Sequence, residues 1–217
     1  MLALGGLAAT ARAAVVTMDE LVLDADVTMV VEPAGMGYPT GGIVIDTGSL
    51  VIAPTGRLDL KNNAVIVRSG NFATIQGYVI TGYNGGAWDG YGINSSSAAS
   101  DPDHLTAVGV INNADAQLTE FHEVAVSNLE VLVSYAYYGD ANLDGYVDDT
   151  DLTQMALGTA GLGAGWYFGD FNYSGAVDAA DYALYTASFN ALHPVPEPGV
   201  VGLLAVGALA CLRRGRR

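Results

Sequence analysis

Cysteine is almost absent from this 217-residue chain. The single thiol, Cys211, lies near the C-terminus, so no intrachain disulfide can brace the fold. Basic side chains are nearly as scarce. Between Ala14 and His193 only Arg57, Lys61 and Arg68 stand against 22 acidic residues, a formal charge of −19. Such a surface repels a phosphate backbone and excludes nucleic acid as a partner, whereas divalent cations relieve its self-repulsion. The patterns of common catalytic centres are missing too. His104 and His122 are isolated, with no His-x-x-x-His or Glu-x-x-His pair for a transition metal. There is no Gly-x-Ser-x-Gly elbow and no phosphate-binding glycine loop. No apolar run is long enough to span an average bilayer. The uncharged stretch Val200–Leu212 reaches only about 20 Å as a helix, against ~30 Å of hydrocarbon.

Both ends read as addresses. Residues 1–13 form an apolar run closing on Ala11-Arg12-Ala13, the pattern of a signal peptide with a small-residue cleavage site. The basic leader of such signals is missing, so either the true start lies upstream or the signal is atypical. At the other end, residues 193–217 contain Val195-Pro196-Glu197-Pro198-Gly199, the apolar run, and Arg213-Arg214-Gly215-Arg216-Arg217. The basic end would hold the C-terminus in the cytoplasm.

Between them, residues 14–137 read as β-rich. From Leu21 to Glu32, apolar Leu21, Leu23, Ala25, Val27, Met29 and Val31 alternate with polar positions, which predicts one half-buried strand or two joined by a tight link. Further strands are expected at Ile43–Asp46, Ser49–Ile52, Leu58–Leu60, Ala64–Val67, Thr106–Ile111 and Leu129–Tyr137, punctuated by Gly and Pro. Phe72, Ile75 and Val79 keep helical spacing and predict one short helix. Short strands at these intervals suit a β-sandwich or a β-solenoid, so the fold class expected is mainly β. Asp89 with Glu120 or Glu123 has the residue types of a glycosidase carboxylate pair, although nothing in the sequence fixes their separation. Trp88, with Tyr83 and Tyr91, has the type of a sugar-stacking platform, although packing is the commoner fate of such rings. Asp101-Pro102-Asp103-His104 reads as an exposed turn rather than an acid–base cluster.

The most informative stretch is Tyr138–Asn190, where one phrase occurs twice at an interval of thirty residues. The first copy places Asp140, Asn142 and Asp144 at positions 1, 3 and 5. The turn glycine Gly145 follows, then Tyr146, Val147, Asp148 and, at position 12, Asp151. The second repeats this with Asp170, Asn172, Ser174, Gly175, Ala176, Val177, Asp178 and Asp181. A hard cation such as Ca²⁺ takes six to eight oxygens, and a tight loop presents them from alternate side chains and a position-7 carbonyl. The expected ligands are therefore Asp140, Asn142, Asp144, the Tyr146 carbonyl, Asp148 and Asp151 for one ion. For the other they are Asp170, Asn172, Ser174, the Ala176 carbonyl, Asp178 and Asp181. Ser174 replaces a carboxylate, so the second of the two Ca²⁺ sites should be the weaker. Val147 and Val177 at position 8 would let the loops pair through a short β contact. Helical spacing follows each loop, in Leu152, Met155 and Ala156 and again in Tyr182, Tyr185, Phe189 and Leu192.

Read together, residues 138–192 resemble a type I dockerin, in which two 12-residue calcium loops are each followed rather than preceded by a helix, and each loop closes on Asp. The resemblance implies a small α-helical calcium-loop pair, a cohesin-like docking partner and a setting in polysaccharide breakdown. The positions that help to select a cohesin are Asp149-Thr150 and Ala179-Ala180 here, unlike the hydroxyl-rich pair frequent in cellulosomal members. The tail resembles a PEP-CTERM sorting signal, which implies recognition by a membrane-embedded exosortase and a transient membrane anchor. The expectation is an exported, non-catalytic calcium-binding protein of the cell envelope or extracellular matrix that docks or displays a β-rich domain. The alternative is a small polysaccharide-degrading or glycan-binding protein attached to a larger assembly through the same pair.

Overall fold

The computed structural model describes residues 13–32 and 42–194. The residues up to Arg12, where a signal peptide is expected, and those from Val195 onward, where a sorting tail is expected, lie outside the described residues. The alternating run at the N-terminus forms β1 (Ala14–Leu23) and β2 (Thr28–Val30), joined by a tight turn in which Asp26 is left-handed (φ 62°). That turn breaks the expected face. Leu21, Leu23 and Val31 are buried, whereas Ala25 and Val27 are exposed and Met29 is only partly covered. Next come β3 (Ile43–Ile52), β4 (Arg57–Asp59) and β5 (Ala64–Val67). β3 runs unbroken through Thr47-Gly48, where the sequence pattern suggests two strands. A side chain at Gly48 would collide with the carbonyl oxygen of Asp19, so glycine here admits the neighbouring strand rather than ending its own.

The helix predicted around Phe72 is α1 (Phe72–Tyr83), capped by the Asn71 side chain on the Thr74 N–H and closed by left-handed Asn84. After it the chain forms β6 (Gly92–Asn94), a single turn α2 (Ser96–Ala99), β7 (Thr106–Asn112) and another single turn α3 (Asn113–Ala116). A two-residue hairpin follows, β8 (Glu120–Phe121) and β9 (Val124–Ala125), and then β10 (Val131–Tyr137). The last third holds α4 (Asp149–Thr159), a 3₁₀ turn at Trp166–Phe168 and α5 (Ala179–Leu192). Helical and strand residues are therefore about equally frequent among those described, and the expected "mainly β" class is corrected to a mixed one.

Sheet order is β1-β3-β5-β10-β7, with β1, β3 and β5 parallel and β10 antiparallel to both its neighbours. A second, parallel sheet has the order β2-β4-β6. The first six strands alternate between the two sheets in chain order. Ala64–Val67 and nearly all of β7 are buried, as continuous apolar runs in a covered sheet should be. One buried cluster extends from Leu21 in β1 to Tyr185 in α5, so the strand-rich part and the loop–helix part share a core.

The scarce cations have structural work. Arg68 grips Asp46 of β3 through both Nε (2.7 Å) and Nη2 (2.8 Å), and its Nη1 reaches Glu130 beside β10 at 3.3 Å. Burial alone would raise the Glu130 carboxyl. Bonds from the Ser127 hydroxyl and backbone N–H, with Arg68, outweigh it and hold the pKa below the usual range. Removing one partner leaves a covered carboxylate uncompensated. We expect Arg68→Ala to cost about 2 kcal/mol, read as a shift in urea midpoint at unchanged slope; this sits below the fully buried case because Arg68 is partly exposed.

Candidate metal centre

The two repeated phrases fold into two copies of one loop. In the first, Asp140 accepts the N–H groups of Asp144 (3.1 Å) and Gly145 (3.0 Å), one on each carboxylate oxygen. Asn142 Oδ1 accepts from Asp144 N (2.9 Å), and Asp144 Oδ1 accepts from Tyr146 N (2.9 Å). Asp151 then closes the ring, accepting from Ala141 N (2.9 Å) on one oxygen and from Asp148 N (2.9 Å) on the other. The second copy repeats the pattern. Asp170 accepts from Ser174 and Gly175, Asn172 from Ser174, and Asp181 from Phe171 and Asp178, all between 2.8 and 2.9 Å. The backbones agree as well. Leu143 and Tyr173 are left-handed at φ 58° and 55°, and Gly145 and Gly175 carry φ 93° and 88°, values that side chains rarely tolerate.

Each loop leads directly into its helix. Asp148 and Asp178 are N-caps, and Asp151 and Asp181 complete the capping boxes. This is why each helix starts just after position 9; β10 leads into the first loop and the 3₁₀ turn Trp166–Phe168 into the second, so neither has an α-helix running directly into it.

The electrostatics are unusual. Asp140, Asp151, Asp170 and Asp181 are all buried, at 4% exposure or less. No lysine or arginine occurs anywhere between Arg68 and Arg213. Buried carboxylates without a cation are costly. Burial pushes the Asp151 carboxyl up to about 7 despite the N–H groups of Asp148, Ala141 and Asn142, and it raises Asp170 in the same way. Among the described residues no three His, Cys, Asp or Glu side chains converge as a finished metal centre. The carboxylates hold the backbone N–H groups instead.

The copies differ at position 5. Asp144 Oδ2 accepts from Asn142 Nδ2 (2.9 Å). Ser174 instead turns its hydroxyl onto the Ala176 carbonyl (3.1 Å), the oxygen expected to face a cation.

The halves exchange helices. Tyr185 of α5 lies over Gly139, just before the first loop, with its Cα 3.1 Å from where a side chain at Gly139 would begin. Met155 of α4 lies over Gly169, just before the second. Tyr185 Oη also donates to the Asp148 carbonyl (3.0 Å), and Thr159 Oγ1 meets Tyr182 Oη (3.2 Å). The expected helix stripes are only partly realised. Met155 and Tyr185 are buried, but Leu152, Ala156 and Leu192 are exposed, because α4 and α5 lean on the loops more than on each other. No strand pairing joins Val147 to Val177 among the described residues. Val147 is packed instead beside Gly139, and Val177 beside Gly158.

Trp88 takes the packed place that the sequence favours. Trp88 is 1% exposed and donates its indole N–H to Tyr138 Oη (3.1 Å), while Tyr91 lies under the Arg57 guanidinium at 4.6 Å. These rings offer no open stacking platform. Asp89 is held by Asn84 Nδ2 (2.8 Å) in the turn after α1, whereas Glu120 lies on the β8–β9 hairpin and Glu123 in its turn, exposed and left-handed at φ 64°. His122 sits in the same turn with Nε2 at 3.0 Å from Ser134 Oγ, and Asp101 caps its own turn through Leu105 N and the Thr106 hydroxyl. Among the described residues no helix is long and apolar enough to cross a membrane. The sequence reading missed Trp166, fully buried, whose indole N–H donates to the Asp140 carbonyl at 2.7 Å. An isolated tryptophan in a glycine-rich stretch gave no signal of it. No known family, curated protein or solved structure matches the chain.

Proposed function

We propose that the chain is a non-catalytic, exported calcium-binding protein of the cell envelope or matrix, in which a dockerin-like loop pair docks or displays the strand-rich part. The observation that carries this reading is the set of four buried aspartates, in two loops with matching hydrogen bonds, within a stretch that contains no lysine or arginine. A bound cation would offset the clustered negative charge, and oxygen donors in a loop of this length suit Ca²⁺. Asp140, Asn142, Asp144, the Tyr146 carbonyl, Asp148 and Asp151 would hold one ion. Asp170, Asn172, Ser174, the Ala176 carbonyl, Asp178 and Asp181 would hold the other. The second site is the weaker, having one carboxylate fewer and a hydroxyl to be turned off the Ala176 carbonyl. A cohesin-like partner and exosortase handling of the tail belong to the same proposal and rest on the sequence resemblances. Trp88, the central ring of a glycan-stacking platform, is buried, so a glycan-binding or polysaccharide-degrading reading keeps only the sequence resemblance as support.

Amide resonances test the assignment loop by loop. Gly145 and Gly175 N–H groups point at the carboxylates of Asp140 and Asp170. Both should move on addition of calcium, Gly145 at the lower concentration, because a bound cation polarises the accepting carboxylate. Glycine resonances indifferent to millimolar calcium would remove the reading.

A further inference from the structure

We propose that Trp166 and Tyr185 are positioning residues that tie the first loop to the second, so that calcium binding at the two loops is positively coupled. The proposal rests on the calcium reading and adds a property to it. Trp166 lies between the two loops. On one side its indole N–H donates to the carbonyl of Asp140, the residue at position 1 of the first loop, and its ring closes with Leu143 of that loop over Gly109 of β7. On the other side it meets the position-2 and position-4 rings of the second loop, Phe171 edge-on at 5.0 Å and Tyr173 at 5.7 Å. Tyr173 is itself fixed, its hydroxyl donating to the Val108 carbonyl of β7 at 2.6 Å. A single rigid indole therefore contacts position 1 of one loop and positions 2 and 4 of the other, and it shares the space over Gly109 with position 4 of the first.

The far end of the first loop is held from the second half as well. Tyr185 Oη donates to the carbonyl of Asp148, the position-9 residue. Both tethers run from the second half to main-chain oxygens of the first loop. Occupying the second loop fixes Phe171, Tyr173 and the start of α5. That fixes Trp166 and Tyr185, and the first loop is then offered to its ion with less left to order. Linkage makes the effect reciprocal, so calcium in the first loop tightens the second by the same factor.

The test uses the full-length chain and calcium alone, with calorimetry separating the sites. Disabling the second loop with Asp170→Asn should weaken calcium binding at the first roughly fivefold, about the worth of one buried hydrogen bond. Trp166→Phe keeps a ring but removes the N–H. It should weaken the first loop by a similar factor, and adding Asp170→Asn to it should then cost much less, which is the signature of coupling through the indole. Tyr185→Phe, a milder change, should lower the coupling factor even if Trp166→Phe proves poorly folded. A merely structural role would shift melting temperatures and leave the coupling factor alone. Two calcium sites whose affinities ignore each other would overturn the coupling and leave the calcium reading intact. No binding in the unaltered protein would overturn both.

Discussion

In excess EGTA the protein should melt roughly 15–30 °C below its value in millimolar calcium. The figure follows from mass action. A ligand a thousandfold above its dissociation constant stabilises by about 4 kcal/mol per site, and each kcal/mol moves a domain of this size by about 2–4 °C. The calcium-free state keeps its capping boxes and N–H contacts, but it also keeps four aspartates buried at 4% exposure or less, with burial raising the carboxyls of Asp151 and Asp170. The loss should not be confined to residues 138–192. Trp166 and Leu143 close over Gly109, Tyr173 is bonded to Val108, and Ser188 Oγ reaches the Leu105 carbonyl, so the loop pair covers the β7 edge of the large sheet. One cooperative transition monitored by both far-ultraviolet dichroism and tryptophan emission is therefore expected. A melting temperature that EGTA leaves unchanged would mean that the loops are acidic turns and nothing more.

The second large effect is the opposite pH dependence of the calcium-free and calcium-loaded forms. Burial raises the Asp151 carboxyl to about 7 in the folded protein, against about 3.9 in an unfolded chain. Between those values the folded state binds more protons than the unfolded one, so stability falls as pH rises from 4 to 7. The penalty is complete above pH 7 and absent below 4; on this shift it reaches about 4 kcal/mol. Asp170, raised for the same reason, adds in the same direction. Calcium-free protein should therefore melt higher at pH 5 than at pH 8. Calcium needs the ionised carboxylates, so its affinity should rise over the same interval and the loaded form should lose stability on acidification. Parallel pH profiles in EGTA and in calcium would contradict this assignment of charge.

Much of the local structure was legible because it is set by nearest neighbours. The turn glycines Gly145 and Gly175, the closing aspartates Asp151 and Asp181, and the start of α1 before Phe72 all depend on residues within one loop or one turn. The miscast parts depend on what lies across the fold. β3 continues through Gly48 because β1 presses on it, a pairing across roughly thirty residues that no local pattern records. Trp88 suits packing, but its glycine-rich stretch does not name the partner. It is buried because the Tyr138 hydroxyl, fifty residues on, offers its indole a partner. The exposure of Leu152 beside buried Met155 likewise follows from where Gly169 accepts a neighbour. The two loops could be read from spacing. The tether from Trp166 to Asp140 could not, because only the packing of β7 against the loops brings the two together.

The most direct measurement is a calorimetric calcium titration of the full-length chain beside Asp140→Asn. That variant keeps the size of the side chain while removing the charge at position 1 of the first loop. Two ions per chain with unequal affinities are expected, falling to one in the variant, with the tighter site lost. A chain that takes up no calcium at millimolar concentration, or two ions that Asp140→Asn does not disturb, would contradict the assignment of these loops as calcium sites.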